Sequence, residues 1–554
     1  MIKIKRYISV IICLILVASA FAGCGKNEAM VDFIYPFGGN VNSFDPQIAS
    51  TEDEFLIVEN CYEGLVRVLD DGTVKPACAS DWDISADGLT YTFTISEGLK
   101  WDFTNETYDS GEYKDGRVDL VGVDFNNEVT ANDFVFALRR ACAPETDAPL
   151  FSSVSGIVNA NEVHSGKTER SKLGVKALDD YTLQITLTSP DSSFLSVLST
   201  AVAMPCNEEF FNATKGRYGL STKYSLFNGQ FCVDAVLEAS YVLDLNKNYS
   251  GCNPSTVTDL TLSIKNEETD VAKNLKSGLY DSAYISGAEY ERIDSDKITV
   301  VPYSNTTWAF MLNKNKEIFA NEKMREALCL SITSGELEHD YLQKATSFAP
   351  PSCLVGEESA VDALGSTVPE RDEAKAQELW KKGLEETKLT SADITLICTA
   401  DMEEVAKALV QGIQATIGSI TGYDNESKFS FSLKIEPLSK EDFDTAVAKS
   451  EYDIALYPFT ASTHSTVSFL SDIIGGNYLG EVKDAEAALA KAQAASPDKL
   501  ASECVNTEKA IIGDYSVFPV LFESSYYAQA AGVSGVQFHP GSGRVCFVYA
   551  TRED

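Results

Sequence analysis

The N-terminal segment constrains this chain most, because it determines the cellular compartment in which the rest of the chain must fold. Lys3, Lys5 and Arg6 precede an almost wholly apolar run from Ile8 to Ala22. At roughly 15 residues, this run is shorter than the ~20 that a membrane-spanning helix needs. A cationic start followed by a short apolar core is typical of a secretory signal peptide. We therefore predict that residues 1–23 are removed and that the rest of the chain folds outside the cytoplasm.

Cys24 follows directly after the small residues Ala22 and Gly23. This arrangement resembles a lipobox, where cleavage exposes a cysteine that is then diacylated, although Phe21 replaces the leucine that is usual at its position. The sequence thus predicts lipidation of Cys24 and a polar leader, residues 24–30, tethering the folded part to the outer face of the membrane. The alternative is an ordinary signal peptide with an incidental cysteine.

Charge and cysteine usage narrow the class of protein. The formal net charge is −37, which repels the phosphates of nucleic acids and acidic lipid surfaces, so we expect no nucleic-acid partner. Of the 13 cysteines, 11 follow Cys24, widely spaced and without a C-x-x-C pair. Zinc and redox motifs need close pairs, so we interpret most of these cysteines as buried small apolar residues and leave a few disulfides open.

Hydrophobic periodicity indicates a mixed α/β chain. Apolar residues alternate, as strands require, in YTFTI (91–95), YTLQITL (181–187) and YVLDL (241–245). Helical spacing is found in DEAKAQELWKKG (372–383), which Gly383 is expected to end, and in EEVAKALVQGIQATI (403–417). Because no low-complexity linker separates these patterns, we expect more than one lobe, built from discontinuous pieces of chain.

Four phrases follow one another along the chain: NSFDPQIAS (42–50), CYEGLVRVLDDGTVKPACASDWDISADGLTYTFTISEGLKW (61–101), EVTANDFVFALRRACAPET (128–146) and YDIALYPFTASTHSTVSFL (452–470). Their order resembles that of the family 5 extracellular solute-binding proteins, the oligopeptide-binding components of ABC importers. The resemblance implies a two-lobed, type II periplasmic-binding-protein-like α/β fold with a hinge and an extra domain in the N-terminal half. The implied ranges are 31–75, 191–295 and 525–554 for lobe I, 76–190 for the extra domain and 296–524 for lobe II.

The resemblance also implies where a ligand binds. In peptide binders of the family, the segment matching 452–470 lines the cleft with an aromatic residue and, three places later, an aspartate that pairs with the ligand's α-amine. Phe459 and Ser462 occupy these positions here. Because serine carries no charge, recognition of a free N-terminus is not implied.

The remaining residues of this segment predict a cleft of aromatic faces and neutral hydrogen bonds, suited to a peptide interior, a blocked peptide or a sugar. The predicted ligand-binding residues are Tyr457, Phe459, Thr460, Ser462, Thr463 and His464, with Trp308, Tyr284 and Ser286 as weaker candidates by family position. The alternative is a loop of polar turn residues with Phe459 in the core.

Motifs for catalysis are missing from the sequence. There is no G-x-S-x-G and no H-E-x-x-H, and the four histidines show no metal-ligand spacing. SGKT (165–168) has Asn161 in place of the first glycine of a phosphate loop, and GSG (541–543) lacks the third glycine of a dinucleotide fingerprint. We therefore expect a binding protein, with no enzyme activity, cofactor or metal.

The expected function is capture of oligopeptides or peptide-like solutes outside the cell and delivery to a membrane permease driven by a cytoplasmic ATPase. The chain is expected to act as a monomer. The alternatives keep the fold and change the ligand to an oligosaccharide or metal complex, or change the role to that of a surface sensor.

Overall fold

A computed structural model describes residues 31–69, 72–103, 125–191, 193–255, 257–266, 269–290, 292–293, 297–333, 341–420, 422, 429–461, 463–476, 483–539 and 544–553. The predicted signal peptide, Cys24 with its leader, and Ser462 lie outside these residues, as does GSG (541–543). Within the described ranges, no helix is both long and apolar enough to cross a bilayer.

Three larger sheets and nine longer helices account for most of the regular structure in the described ranges. The strands of these sheets, in chain order, are β1 (Val31–Phe37), β2 (Ala79–Ile84), β3 (Thr90–Ile95), β4 (Val175–Asp179), β5 (Thr182–Thr186), β6 (Phe231–Val236), β7 (Ser240–Leu245), β8 (Val257–Ile264), β9 (Ser282–Ile285), β10 (Thr299–Leu312), β11 (Leu342–Lys344), β12 (Ser391–Thr399), β13 (Ser430–Leu438), β14 (Ile454–Thr460) and β15 (Val517–Gln529). The helices are α1 (Glu52–Cys61), α2 (Ala131–Ala141), α3 (Glu322–Cys329), α4 (Glu373–Thr387), α5 (Glu403–Thr416), α6 (Lys440–Ala448), α7 (Thr466–Gly475), α8 (Lys483–Gln493) and α9 (Pro497–Ile512).

Shorter elements connect these. Short helices span Phe151–Val154, Ala160–His164, Phe194–Val197, Glu208–Ala213, Val271–Ser277, Gly287–Tyr290, Glu317–Ala320 and Ala360–Leu364. Two-stranded pairs join Val66–Val68 to Val74–Pro76, Leu354–Val355 to Glu358–Ser359, Val533–Ser534 to Thr551–Arg552, and Gln537–His539 to Arg544–Cys546.

The three sheets differ in topology. The first has the order β1-β8-β7-β6, with β1 parallel to β8 and the other pairs antiparallel. The second has the order β2-β3-β5-β4 and is antiparallel throughout. The third has the order β9-β15-β10-β14-β12-β13, with β11 paired to β15. In the third sheet β12 runs parallel to both β13 and β14, so the fold is a mixed α/β fold, as predicted.

The strands predicted from alternating residues are present. In β3 the residues Tyr91, Phe93 and Ile95 are buried, because successive side chains of a strand point to opposite faces and only one face meets the core. The predicted helix over 403–417 corresponds to α5, whose Val405 and Leu409 face the core.

The expectation that Gly383 ends its helix was wrong. Helix α4 continues through this residue to Thr387 and ends at Lys388, which takes the left-handed conformation with φ 59°. Gly383 instead allows close packing, since a Cβ there would lie 2.4 Å from Cγ of Met324 on α3. Its role comes from a contact between helices, which local spacing does not reveal.

Each sheet packs against its own hydrophobic core. Fully buried members are Phe33 and Leu260 for the first sheet, Phe93 and Trp101 for the second, and Phe310 and Trp380 for the third. The core of the second sheet also includes residues beyond 190, among them Phe194, Phe210 and Leu226. The chain that the prediction assigned to lobe I therefore packs partly on the extra domain, and the domain ranges stay a prediction.

Two long antiparallel strands connect the first and third cores. Tyr303 of β10 and Tyr527 of β15 pack in the first core, whereas Trp308 and Leu521 of the same strands pack in the third. The pairing of β10 with β15 is irregular between Tyr303 and Thr306, where its register shifts. This irregular step lies where the strands pass from one core to the other.

The cysteines after Cys24 are all free thiols. Nine are buried, Cys232 is half-buried and Cys252 is exposed. Burial raises the pKa of the Cys206 thiol to about 12, which keeps it protonated and unreactive. The prediction that most of these cysteines act as small buried residues is confirmed.

Candidate ligand-binding site

Three neighbouring cavities share wall residues, and we call them the first chamber, the second chamber and the neck, a smaller cavity that shares wall residues with both. The first chamber has a volume of about 480 Å³, the second about 610 Å³ and the neck about 40 Å³. Chambers of this size are typical of sites for small ligands. Arg544 borders both the first chamber and the neck, and His464 borders both the neck and the second chamber.

The first chamber has walls from both lobes. The wall on the side of the first sheet includes Tyr35 in β1 and Glu52 at the start of α1. The opposite wall includes Asn305 and Thr306 of β10 and Thr460 of β14. A solute in this chamber therefore contacts both lobes.

The wall that carries Glu52 is held by a capping box. Thr51 caps α1 by accepting a hydrogen bond from the N–H of Glu54 at 3.2 Å, and the Glu54 carboxylate accepts one from the N–H of Thr51 at 3.1 Å. Glu54 also accepts from the N–H groups of Asn42 and Ser50. Burial alone would raise the pKa of Glu54, but these backbone donors lower it. The loop before α1 is therefore tightly fixed.

Strand β14 offers a backbone edge to the first chamber. Thr460 lies opposite Thr306, and the N–H of the next residue, Ala461, donates to the carbonyl of Asn305 at 2.8 Å. Hydrogen-bonded and non-bonded pairs alternate in an antiparallel ladder, so the N–H and C=O of Thr460 point away from β10. On that outer side β12 pairs with β14 only at Ile454 and Ala455. The outer edge at Thr460 can thus accept another extended chain.

The neck is built from charged groups. Glu59 Oε1 lies 3.7 Å from Nε2 of His539 and 3.9 Å from Nη1 of Arg67. Burial alone would raise the pKa of Glu59, yet His539, Arg67 and Arg544 together lower it. The imidazole rings of His464 and His539 approach each other edge to face with centroids 6.2 Å apart, so the two lobes meet at the neck.

A model of the bacterial extracellular solute-binding proteins, family 5 (middle part), matches residues 73–479. The chain belongs to this family. This family 5 protein is 24% identical to the dipeptide-binding protein DppE of Bacillus subtilis over 513 residues, covering 90% of this chain and 88% of that protein. It is 25% identical to a dipeptide-binding protein of Lactococcus lactis over 546 residues, covering 93% and 94%.

The fold of this family 5 protein matches solved structures. Listeria monocytogenes OppA bound to peptide superposes with a TM-score of 0.73 at 20% identity, covering 95% of this chain and 100% of that chain. The structure neighbours are periplasmic peptide-binding proteins of the type II fold. The predicted family and fold class are therefore confirmed.

Four of the predicted site residues border the cavities. Thr460 and Tyr284 line the first chamber, Thr463 lines the neck, and His464 lines the neck and the second chamber. Thr460 is exposed to the chamber, and its hydroxyl lies 3.0 Å from that of Thr306. These residues share the cleft, and their contact with a ligand stays a prediction.

The predicted aromatic residues of this segment lie in the core of the third sheet. Phe459 packs edge to face on Phe348 with ring centroids 5.3 Å apart, and Tyr457 packs on Phe443 at 6.2 Å. Trp308 is also buried, and its indole N–H donates to Glu523 at 2.7 Å. This placement agrees with the alternative that Phe459 is a core residue.

Ser286 lies apart from the described chambers. It is exposed and caps a short turn, where its N–H and hydroxyl donate to the Glu289 carboxylate at 2.9 and 3.0 Å. Ser462 lies outside the described residues, so its position in the cleft stays a prediction.

Charged wall residues were not found from the sequence. The predicted cleft was neutral, whereas the first chamber includes Glu52, Asp53, Lys265 and Arg544. Arg544 lies almost 500 positions after Glu52 in the chain, so no local spacing links them. Across the described ranges, no group of three or more histidine, cysteine or acidic residues is arranged to hold a metal ion.

Proposed function

We propose that this protein captures oligopeptides or peptide-like solutes outside the cell and delivers them to the permease of an ABC importer. The free edge of β14 at Thr460, facing a chamber with walls from both lobes, is the observation that carries this proposal. An extended peptide can pair with such an edge through main-chain hydrogen bonds, which do not depend on side-chain identity. The names of the relatives, two of them dipeptide-binding proteins, support the same ligand class.

Closure of the lobes around the ligand is part of the proposal. Strands β10 and β15 connect the two cores, and the irregular pairing between Tyr303 and Thr306 offers a place where the backbone can bend. Bending there would open the chambers to solvent, and closure would remove water from the ligand's polar groups. We therefore place the hinge at this step.

The membrane anchor and the transport partners complete the proposal. Lipid on Cys24 would hold the protein beside its permease on the outer face of the membrane and raise its local concentration there. The cytoplasmic ATPase would drive release into the permease, and no bond in the ligand is made or broken. The relatives are binding proteins, which supports a role without catalysis.

Thr460 provides the test, because its outward N–H is one of the proposed ligand contacts. Thr460→Pro removes this N–H without removing a bond to β10, so peptides should bind about tenfold more weakly, the scale of one lost hydrogen bond in a desolvated site. Thr460→Ala keeps the N–H and serves as the matched control, with an expected dissociation constant close to that of wild type. Calorimetry with di- to pentapeptides measures both.

Two outcomes of this experiment would contradict the proposal. Equal peptide affinities in Thr460→Pro and Thr460→Ala, with both variants folded, would show that the edge of β14 does not bind the main chain. Binding of maltotriose or a nickel chelate by the wild-type protein, with no binding of any peptide, would move the ligand to another class.

A further inference from the structure

The two carboxylates of the first chamber have different surroundings. The carboxylate of Asp53 is already hydrogen-bonded to the loop before α1. Its oxygens accept from the N–H groups of Gly38 at 3.0 Å and Asn40 at 2.8 Å. The Glu52 carboxylate accepts no hydrogen bond from any residue in the described ranges. Only Glu52 therefore offers an unused anionic acceptor to the chamber among its described wall residues.

The negative charge of Glu52 is also only partly balanced by nearby positive charge. Its side chain is accessible from the chamber, yet enough protein surrounds it for burial to raise its pKa. The positive charge of Arg544 lowers the pKa of Glu52, whereas the negative charge of Asp53 raises it further. The charge of Arg544 does not act on Glu52 alone, because Arg544 also stabilises the charge of Glu59 and lies over the ring of Phe55 at 5.0 Å.

A helix N-terminus alone would explain an acidic residue at this position. Glu52 is the first residue of α1, where a negative charge interacts favourably with the helix dipole, and on an open surface nothing more would follow. Here Glu52 is an exposed residue in the wall of the first chamber, whose volume is about 480 Å³. A partly desolvated carboxylate gains most from a ligand that donates hydrogen bonds and carries positive charge.

We propose that Glu52 pairs with a cationic group of the ligand, an ammonium or a guanidinium, inside the first chamber. This inference rests on the proposed capture of peptides and specifies the charge that such a ligand presents. It replaces the expectation of a neutral cleft, which followed from serine at position 462. The α-amine of a peptide and the side chain of lysine or arginine both supply the required group.

The experiment compares two peptide libraries on the mature chain, residues 25–554. One library contains tripeptides with free N-termini and the other contains the same tripeptides N-acetylated, and mass spectrometry measures what each protein retains. The variants are Glu52→Gln and, as matched control, Glu322→Gln, which makes the same change at the exposed first residue of α3, away from the walls of both chambers and the neck. The melting temperature of each variant checks its folding, and it should be equal to or above wild type in Glu52→Gln.

Wild type and Glu322→Gln should retain free peptides at least tenfold better than acetylated peptides that lack lysine and arginine. Glu52→Gln should lose this preference while retaining acetylated peptides as wild type does. If acetylated peptides with lysine or arginine are also retained through Glu52, the side chain is an accepted source of the cation.

Two results would overturn the inference, and they differ from each other. If wild type and a folded Glu52→Gln variant prefer free over acetylated peptides to the same extent, Glu52 does not bind the cation, and the proposed peptide capture is unaffected. Retention of neither library by the wild-type protein would overturn the proposed peptide capture itself, and the inference with it.

Discussion

The buried ion pair between Arg140 and Asp45 offers a stringent test of how the domains hold together. Arg140 Nη2 lies 2.5 Å from Asp45 Oδ2, and Nη1 donates to Asp45 Oδ1 at 3.2 Å and to Gln47 at 2.7 Å. Both charged side chains are almost fully buried. Arg140 lies in helix α2, which packs on the second sheet, and Asp45 lies in the loop before α1, which borders the first chamber. The ion pair therefore links the core of the second sheet to this loop.

The Arg140 guanidinium lies over the ring of Phe211 at 4.2 Å, and Arg140→Met replaces it with an apolar side chain that removes both bonds to Asp45 and the bond to Gln47. Burial alone would lower the pKa of the Arg140 guanidinium, whereas the Asp45 carboxylate raises it. Without its partner, Asp45 is left as a buried, unpaired charge. We expect a loss of about 3–5 kcal/mol in the free energy of unfolding, the range for breaking one side of a buried pair.

Urea denaturation of wild type, Arg140→Met, Asp45→Asn and the double variant measures this loss as a double-mutant cycle. The double variant should recover about 1–2 kcal/mol relative to Arg140→Met, because no unpaired charge remains in it. A loss below about 0.5 kcal/mol in Arg140→Met, or strictly additive effects, would refute the reasoning, since surface pairs behave that way.

Two further substitutions test helix packing and electrostatics. Gly412→Ala should destabilise the protein by about 1–3 kcal/mol, although alanine favours helices, because its Cβ would lie 2.3 Å from the backbone oxygen of Ser331. Gly383→Ala is the control and should cost less, since its Cβ meets a flexible side chain; equal losses in thermal unfolding would contradict this reasoning. Asp244→Asn should stabilise the protein at pH 7 by about 1 kcal/mol, after allowance for solvent screening, and change little near pH 4. Burial first, then the nearby carboxylates of Asp234 and Asp259, raise the pKa of Asp244 from 3.8 to about 6, so the wild type loses stability as the pH rises through that value. Unfolding midpoints that shift equally at pH 4 and pH 7 would rule this out.

The elements with local signals were predictable from the sequence. Strand β3 and helix α5 follow from residue spacing alone, since a strand buries every second residue and a helix buries one stripe. Gly383 was misread because its reason is the close approach of Met324 on another helix. Distances between elements of this kind have no signature in a single stretch of sequence.

The candidate site was predictable in its segment but not in its chemistry. The resemblance pointed to β14, yet the alternation of a strand puts Phe459 into the core and Thr460 into the chamber. Glu52 and Arg544 border the same chamber because segments near the two ends of the chain pack in one core. The charged residues of the cleft are brought together only by the tertiary fold. Serine at position 462 therefore did not suffice to predict whether the cleft is neutral.

The most direct test of peptide capture is to identify what the protein carries. Residues 25–554 would be expressed and purified in the native state, then denatured, and the released solutes identified by mass spectrometry. Release of short peptides in near-stoichiometric amount, with free amines or basic side chains enriched, is the result that we predict. Release of a saccharide or a metal complex in their place, with no peptide, would contradict the account.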